Sequence, residues 1–525
     1  MRLFVVCFFL LAFTSFVNEA GAAEAPAEIS FTVGGFQVSG DNPLSDKATA
    51  AVLEPYTGKH SGLEGLQAAS DALQSELGAR GYSFHRVVLP PQTLQSGIVR
   101  LQVIEFSLGE IKVDNNRYFD NENVLAALPG LRQGEAPNVK DLSRDLRIAN
   151  GHPAKKVRLA FNESDEARVI DATVHVEDRN PGSFFTVLQN TGSEETGDWR
   201  LSLGYQYSNL FNRDHMLSLV YTTSPDNTDA VTQVGFSYVI PFYSVAGNLS
   251  FLYSDSNVES GVVQDFFQVS GAGTVAGLRY QHTFFDLGAY QHEASISYED
   301  KLFENNLAFI DQQDTMDLVA DVRTNPVSLT YRGRWVNVQS VFGFELTGVI
   351  NQPGGSHSDE VTYEASRAGA EPEWSAARYA IEYSYRFAND WTVSLRHKGQ
   401  VAGEPLVAGE QFGLGGMQSV RGFAERELLG DNGWNTNLEV IAPQFGESGV
   451  SLLLFYDRGH LENEEENDDT VAEPLELDPA SAGLGLRWLW REQLGLRADA
   501  ASVLEGAGET EDGDTAFHFS LFYRF

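Results

Sequence analysis

Apolar and polar residues alternate throughout the second part of the chain, from residue 182 to the last residue. The pattern is clearest at the end, where Phe517, Phe519, Leu521, Tyr523 and Phe525 take every second position. Successive side chains of a strand point to opposite faces, so this alternation predicts strands with one apolar, aromatic face and one polar, charged face. Sixteen such segments are predicted, at 183–191, 199–208, 215–224, 231–240, 245–256, 273–284, 290–298, 326–336, 341–351, 376–387, 391–402, 434–442, 449–458, 481–490, 494–504 and 515–525.

Helical spacing replaces the alternation before residue 180. In residues 29–105 apolar residues recur every three or four positions, which predicts one buried helix face. They are Leu63, Leu66, Ala69, Leu73 and Leu77. Strands are predicted on either side of Ser96-Gly97, at Phe84–Leu89 and Val99–Glu105.

Residues 106–179 show a second pattern of the same kind. A strand begins at Ile111 and Val113, and a helix face follows at the same three- and four-residue steps. The residues of that face are Val139, Leu142, Leu146 and Ala149. Each unit is predicted as strand, helix, helix, strand, strand, so the chain begins with two small α+β domains.

The lengths of the connections distinguish two kinds of sheet protein. A soluble sandwich and a membrane barrel share the alternation, but an outer-membrane barrel has short turns at one end and long loops at the other. Here 388–390 and 491–493 are short, whereas 352–375, 403–433 and 460–480 are long. Every backbone group in lipid must be paired, so the sheet must close. Residues 182–525 are therefore predicted to form a 16-stranded antiparallel transmembrane β-barrel.

The first residues predict export from the cytoplasm. Met1-Arg2 supplies a positive charge, Leu3–Phe13 is an apolar run, and Ala20-Gly21-Ala22 fits a cleavage site, so residues 1–22 are interpreted as a signal peptide. A buried N-terminal helix is the alternative. The single cysteine, Cys7, lies inside this segment, so neither a disulfide nor a catalytic thiol is expected in the mature chain.

Charge and motifs exclude several function classes. The formal net charge of −37 argues against a nucleic-acid partner, because phosphates would be repelled. No nucleophile elbow, phosphate-binding loop or zinc-protease motif occurs, so no catalytic residue, cofactor or metal ligand is predicted and the chain is not expected to be an enzyme. The eleven histidines show no ligand spacing, and the acidic stretch Glu462–Asp469 is interpreted as a solvated outer loop rather than a weak cation site.

Several motifs in the two α+β units and at the start of the barrel are informative. They are Gly81-Tyr82, Leu89-Pro90-Pro91-Gln92 and Ser96–Glu105 in the first unit, and Gln189–Gly192, Gly197, Asn209-Leu210-Phe211 and Asp214 at the barrel start. With these motifs the first unit resembles the first polypeptide-transport-associated (POTRA) domain of the outer-membrane transporters of two-partner secretion, the haemolysin secretion/activation family within the outer-membrane insertase superfamily. The second unit resembles the second such domain, with Asn150 and Pro153 at its helix-to-strand turn.

Two further motifs concern the barrel interior. Val420, Arg421, Gly422 and Phe423 resemble the tip of the superfamily loop that folds back into the lumen. The other motif, which resembles the strand whose acid receives that arginine, consists of Phe455, Asp457 and Gly459.

Strand parity agrees with this resemblance. Asp457 alternates with apolar neighbours and should therefore face the lumen, where Arg421 would form a charge-assisted pair with it. The alternative is that Arg421 is an ordinary exposed loop charge.

The resemblance implies a protein-translocating pore in the outer membrane of a Gram-negative bacterium, with its POTRA domains in the periplasm. It implies an unfolded secreted client as partner, passage without nucleotide hydrolysis, contact with outer-membrane lipid, and recognition of the terminal Phe525 by the barrel-assembly machinery. The alternatives are a factor that inserts barrels into the membrane and a passive porin.

The pore also needs a closing element. Several members of the family plug the lumen with an N-terminal helix, for which Ala23 to Ile29 leaves no room. The loop 403–433 and inward arginines are therefore the predicted obstruction.

Overall fold

The structure is a computed structural model of the 525-residue chain. The predicted signal peptide, Ile29, Ser96 and the acidic residues from Glu465 to Asp469 lie outside the described residues. The chain folds as two compact units, Met1–Glu105 and Phe106–Phe525. The residues that the structure describes are 30–93, 97–193, 196–258, 272–304, 321–464, 476–491 and 493–525, with the backbone of two short strands at 262–263 and 267–268.

The first unit contains a three-stranded sheet covered by two helices. Its elements are β1 Ser30–Val33, β2 Gly35–Gly40, α1 Asp46–Leu53, a 3₁₀ turn at Glu54–Tyr56, β3 Gly58–Ser61, α2 Glu64–Ala79, β4 His85–Val88 and β5 Ile98–Glu105. The sheet has the order β2-β5-β4, with β2 parallel to β5, and β1 pairs separately with β3. Helix α2 buries the predicted apolar face from Leu66 onward. The prediction was wrong for Leu63, which is exposed because α2 begins only at Glu64.

The second α+β region belongs to the same compact unit as the barrel. It comprises β6 Ser107–Asp114, α3 Asn121–Ala126, α4 Val139–Asn150, β7 Lys155–Glu163 and β8 Val169–Asp178, in a sheet of order β6-β8-β7. The predicted helix residues Leu142 and Ala149 lie in its core beside Val174. Asn150 ends α4, and its side-chain amide exchanges two hydrogen bonds with the backbone of Val157. This contact sets the turn that leads into β7.

Within the described residues sixteen strands close an antiparallel barrel. The elements after residue 180 are β9 Gly182–Gln189, β10 Arg200–Leu210, β11 His215–Thr223, β12 Gln233–Phe242, a 3₁₀ turn Tyr243–Val245, β13 Gly247–Ser256, β14 Val262–Val263, β15 Phe267–Gln268, β16 Gly273–Thr283, β17 Tyr290–Phe303, β18 Val322–Thr324, β19 Pro326–Val336, β20 Ser340–Asn351, α5 Glu360–Ser366, β21 Ser375–Arg386, β22 Thr392–Ala402, a 3₁₀ turn Ala408–Glu410, β23 Phe412–Leu414, β24 Leu428–Gly430, β25 Asn432–Ile441, β26 Val450–Glu462, β27 Glu476–Leu477, β28 Ala480–Trp490, β29 Leu494–Glu505 and β30 Thr515–Arg524.

Two barrel strands are each interrupted once. β18 and β19 both pair with β17, and β27 and β28 both pair with β26, so each pair counts as one strand of the wall. The hairpins β14–β15 and β23–β24 pair only internally. The predicted fold of two α+β domains and a 16-stranded barrel is confirmed. The strand predicted at 290–298 is longer in the structure, where β17 extends to Phe303.

The barrel closes where the first strand meets the last. β9 and β30 are registered over Phe185–Gln189 and Ser520–Arg524, five residue pairs, whereas β9 and β10 share eight. The side chain of Asn190 continues this seam beyond the ladder. Its amide donates to the carbonyl of Phe517 at 2.6 Å and accepts from the backbone N–H of Phe519 at 2.6 Å. The backbone N–H of Asn190 also donates to the carbonyl of Phe519 at 3.3 Å, so the backbone and the side chain of this residue both extend the seam.

The two faces of the wall follow the predicted alternation. Large apolar side chains such as Leu329, Leu484 and Phe517 are exposed on the outside, and the buried polar residues include Asp457 and Asp499. An apolar outer surface and a polar interior are what a barrel in a lipid bilayer requires. No helix in the described part of the chain is long and apolar enough to cross a membrane.

Candidate functional site

Residues 403–431, between β22 and β25, fold back into the barrel, and we call this segment the inward loop. Its hairpin β23–β24 carries a tip in which Val420, Arg421 and Phe423 are at most 1% exposed. Burial of this extent excludes the alternative of an ordinary exposed loop charge at Arg421.

Arg421 forms a bidentate ion pair with Asp457 of β26. Its Nε donates to Asp457 Oδ2 at 2.6 Å and its Nη2 donates to Asp457 Oδ1 at 2.8 Å. The backbone N–H of Arg421 also donates to Oδ2, at 3.2 Å. Parallel N–H···O bonds of this kind fix orientation as well as charge. We call this contact the tip lock.

Further groups surround the guanidinium. Nη1 donates to Glu439 Oε1 at 2.9 Å and lies 3.6 Å from Asp499. The guanidinium carbon lies 3.5 Å from the centre of the Phe455 ring, a cation–π contact. Asn437 donates to Asp457 Oδ1 at 2.8 Å and to the carbonyl of Ser419 at 2.5 Å. The arginine is therefore held on its edge by carboxylates and on its face by an aromatic ring.

Two motif glycines allow the loop to approach the wall. A Cβ at Gly459 would lie 2.4 Å from a methyl group of Leu414 and 3.2 Å from one of Val420, so only glycine leaves room for the hairpin. Gly422 has φ +106°, a conformation that other residues avoid, and its N–H donates to His518 Nε2 at 2.9 Å. Both glycines thus let the loop tip pack closely against the barrel wall.

Apolar residues complete the seat. Val420 and Phe423 pack in one buried cluster with residues of the hairpin and of the wall. The other members of that cluster are Leu414, Leu428, Leu461 and Val503. The seven residues predicted from the two motifs therefore converge on one place in the lumen. The eighth predicted residue, Phe525, lies apart from them at the end of the last strand and is exposed, with its ring 4.5 Å from that of Tyr523.

Sequence reasoning missed a second set of contacts, which hold the outer ends of the inward loop. Glu410 is buried and accepts hydrogen bonds from Lys301 at 3.1 Å, from Thr324 at 2.9 Å and from Arg378 at 3.0 Å. These three donors come from three different wall strands. We call this group of four residues the outer clasp.

Asp431 holds the other end of the inward loop. It is buried and forms a bidentate pair with Arg367, which follows α5 in the long loop between β20 and β21. The same carboxylate accepts from the backbone N–H of Leu406 at 2.9 Å. Tyr363 of α5 and Leu406 also share an apolar cluster. The inward loop is thus fixed at its tip and at both of its ends.

A third buried charge pair joins the second α+β region to the barrel. Lys155 at the start of β7 donates to Asp214 at 2.6 Å, and neither side chain is exposed. Asn123 of α3 accepts from Lys155 at 2.6 Å and donates to Asp214 at 2.9 Å. Burial lowers the pKa of Lys155, and the attraction of Asp214 opposes that shift. We call Lys155, Asp214 and Asn123 the collar.

Two aromatic side chains extend the collar. Tyr243 donates its hydroxyl proton to Asp214 at 2.6 Å, and burial raises its pKa well above the usual value. His152 Nε2 lies 2.6 Å from the carbonyl oxygen of Ser208, and its Nδ1 accepts from the N–H of Ala154 at 3.2 Å. Burial lowers the pKa of His152. A neutral ring fits both contacts, since Nδ1 must stay unprotonated to accept.

One histidine does lie near acids, although sequence spacing gave no sign of it. His460, Glu476 and Asp478 present ligand atoms within 4.8 Å of one another at the end of β26. His460 Nδ1 is 3.2 Å from Asp478, and Arg458 lies 3.8 Å from the same carboxylate. These contacts form a surface network of ion pairs.

Comparison with known protein families shows to which family the chain belongs. The family model of the haemolysin secretion/activation proteins ShlB/FhaC/HecB matches residues 170–488, and the ShlB-type POTRA domain matches residues 31–105. The chain belongs to this family. It is an outer-membrane β-barrel transporter of the two-partner secretion class with periplasmic POTRA domains.

The chain is also similar to individual members of the family over most of their length. The chain is 21% identical to the heme/hemopexin transporter protein HuxB of Haemophilus influenzae, over 83% of this chain and 77% of that protein. It is 23% identical to the outer membrane transporter CdiB of Dickeya dadantii, over 84% of this chain and 78% of that protein. The solved structure of CdiB from Escherichia coli matches with a TM-score of 0.79 at 18% identity, over 96% of this chain and 92% of that one, which shows the same fold.

Proposed function

We propose that this chain receives an unfolded partner exoprotein in the periplasm and passes it through the barrel to the cell surface. The observation that carries this proposal is the inward loop. This long segment is anchored in the lumen, at its tip by Arg421 and at its ends by Glu410 and Asp431, so it obstructs the pore in the way that a gated path for a large client requires. The relatives HuxB and CdiB are both transporters, which supports the proposal by analogy.

The proposal places recognition in the POTRA regions. Each has a three-stranded sheet with two edge strands, β2 and β4 in the first unit and β6 and β7 in the second. An extended polypeptide binds such an edge through main-chain hydrogen bonds and so needs little particular sequence. Release of energy as the client folds outside would drive passage, in place of nucleotide hydrolysis. Assembly of the barrel itself would depend on the terminal Phe525 and the barrel-assembly machinery.

Deleting the first unit tests the proposal. A variant that keeps the signal peptide but lacks 30–105 should still enter the outer membrane as a barrel and should no longer secrete its partner exoprotein. Retention of the barrel is read from slower gel migration after boiling. Normal secretion by this variant would place recognition outside the first unit. Loss of other barrels from the membrane, with secretion intact, would favour an assembly factor instead.

A further inference from the structure

A chamber of about 660 Å³ lies in the lumen on the short-turn side of the inward-loop tip. It lies against the closing seam, since Phe185 and Phe522 both line it, and Gln418 of the loop reaches it from the tip. Three arginines line it, namely Arg487, Arg497 and Arg524. Among the described residues that line the chamber there is no aspartate and no glutamate. In a chain with a net charge of −37 this composition is unusual.

The nearest carboxylates are already engaged by other arginines. Asp499 accepts from Arg487 at 2.6 Å and 3.0 Å, and Glu439 accepts from Arg421 at 2.9 Å. Arg396 also contacts Glu439, at 3.5 Å. Together with Asp457, these two carboxylates match the three arginines Arg396, Arg421 and Arg487, and none is left for Arg497 and Arg524.

Two chamber arginines are therefore not neutralised. Within the part of the chain that the structure describes, neither Arg497 nor Arg524 forms an ion pair, and Arg524 Nε has no hydrogen-bond partner. Arg497 is also the direct cross-strand neighbour of Arg487 in the β28–β29 ladder. Like charges placed directly opposite each other destabilise a sheet. An anion lying between these side chains would remove that repulsion.

The arginine lining continues to the periplasmic mouth. A second cavity, of about 340 Å³, is lined by Arg179 and Arg491 and shares Arg524 and Gln206 with the chamber. Arg524 therefore lies where a chain entering from the mouth would reach the chamber. Its position makes the two cavities successive parts of one path.

We propose that the chamber binds the carboxylate groups of an extended polypeptide, the Asp and Glu side chains of the client, before the inward loop moves aside. This inference deepens the proposed function and rests on it for the identity of the ligand. Arginine suits the task because its planar guanidinium can donate hydrogen bonds to a carboxylate from any of several N–H groups. Polar neutral side chains such as Gln189 and Gln206 would let the backbone pass without tight binding.

Direct binding tests the proposal on the purified full-length chain. The probe is a short labelled peptide of alternating Asp and Ser, measured by fluorescence anisotropy against a Lys–Ser peptide of equal length. The Asp peptide should bind more tightly, and Arg497→Gln should weaken it by up to about fivefold, the effect of one charge acting across about 4 Å in water. Arg524→Gln should act alike, so the result does not depend on one variant folding well.

Arg334→Gln is the matched control. Arg334 lies on the inner face of β19, outside the chamber, and its replacement removes the same charge from the barrel. Equal weakening by Arg334→Gln would show general electrostatic attraction and would overturn the assignment. Equal affinity for the two peptides would overturn it as well. Binding of the Asp peptide that free acetate suppresses fully at an equal concentration of carboxylate groups would identify the site as one for free small anions and not for a client.

The test separates this inference from the proposed function. Binding that depends on Arg497, together with normal secretion by the chain lacking 30–105, would keep the chamber and reject recognition by the first unit. The reverse combination, no Asp-peptide preference and no secretion without 30–105, would reject the chamber and keep the transport proposal.

Discussion

Two buried charge pairs hold two different parts of the molecule against the same barrel. In the tip lock, Arg421 places a planar guanidinium among the carboxylates of Asp457, Glu439 and Asp499. In the collar, Lys155 places a point charge against one carboxylate, Asp214, and neutral partners supply the rest. Arginine presents a rigid planar set of N–H donors, whereas lysine presents a compact point charge whose donors can rotate. The first pair orients a loop tip, and the second anchors a domain.

The two pairs also differ in the charges that remain buried when the basic residue is removed. Loss of Arg421 leaves several carboxylates close together with less positive charge between them. Loss of Lys155 leaves a single carboxylate that still receives hydrogen bonds from Asn123 and Tyr243. Truncation at the tip should therefore have the larger effect, and the predictions below test this ranking.

The largest effect is expected for Arg421→Ala. Breaking a buried pair typically costs about 3–5 kcal/mol, reduced here because the lumen contains water. Secretion should fall severely while the barrel stays in the outer membrane, as judged by gel migration before and after boiling. Asp457→Ala should be milder, because Glu439 still contacts the arginine. Equal secretion by both variants and the wild type would show that the tip lock plays no part in transport.

The collar should show the opposite preference between its partners. Asp214→Asn leaves the Lys155 ammonium buried without a counter-ion, whereas Lys155→Met leaves a carboxylate with two donors. The first variant should expose the amides of α3 and β7 to hydrogen exchange more than the second does, and the double variant should recover part of the loss. Unchanged exchange in Asp214→Asn would mean that the collar does not hold this region to the barrel.

A smaller effect is expected from the outer clasp. In Glu410→Gln, Lys301 keeps Glu299 at 3.1 Å and Arg378 keeps Gln400 at 2.7 Å, so no charge is left wholly without a partner. The purified variant should conduct ions in a planar bilayer more often than the wild type, because one end of the inward loop is loosened. A conductance identical to that of the wild type would show that the outer clasp plays no part in closure.

The smallest effect concerns pH at the collar. Burial lowers the pKa of His152 in the folded protein below its ordinary value of 6.5, although Asp214 opposes the shift. The detached state then binds more protons, so docking of this region should weaken as pH falls below 6.5 and be fully present above it. Hydrogen exchange of β7 measured across this range checks it, with His152→Gln as the control that should flatten the dependence. A profile unchanged by that substitution would assign the effect to other groups.

The sequence predicted those features that depend on residues close together in the chain, namely strand alternation and side-chain parity. Strand alternation located the sixteen wall strands to within a few residues, and parity correctly turned Asp457 inward. The collar and the outer clasp escaped prediction because their partners are far apart in the chain. Lys155 and Asp214 are separated by 59 positions, and Lys301 and Glu410 by 109. Such pairs are created by the closing of the barrel and have no periodic trace in sequence.

The seam between β9 and β30 is the weakest joint in the barrel wall. Its ladder of five registered pairs is the shortest between neighbouring wall strands in the described chain. One backbone hydrogen bond extends it at each end, from Asn190 to Phe519 and from Phe525 to Phe184, and the side-chain amide of Asn190 adds two more. Outward force on the wall would concentrate there, because fewer backbone bonds resist it than anywhere else around the ring. If the wall were forced to widen, this joint between β9 and β30 would therefore be the first to part.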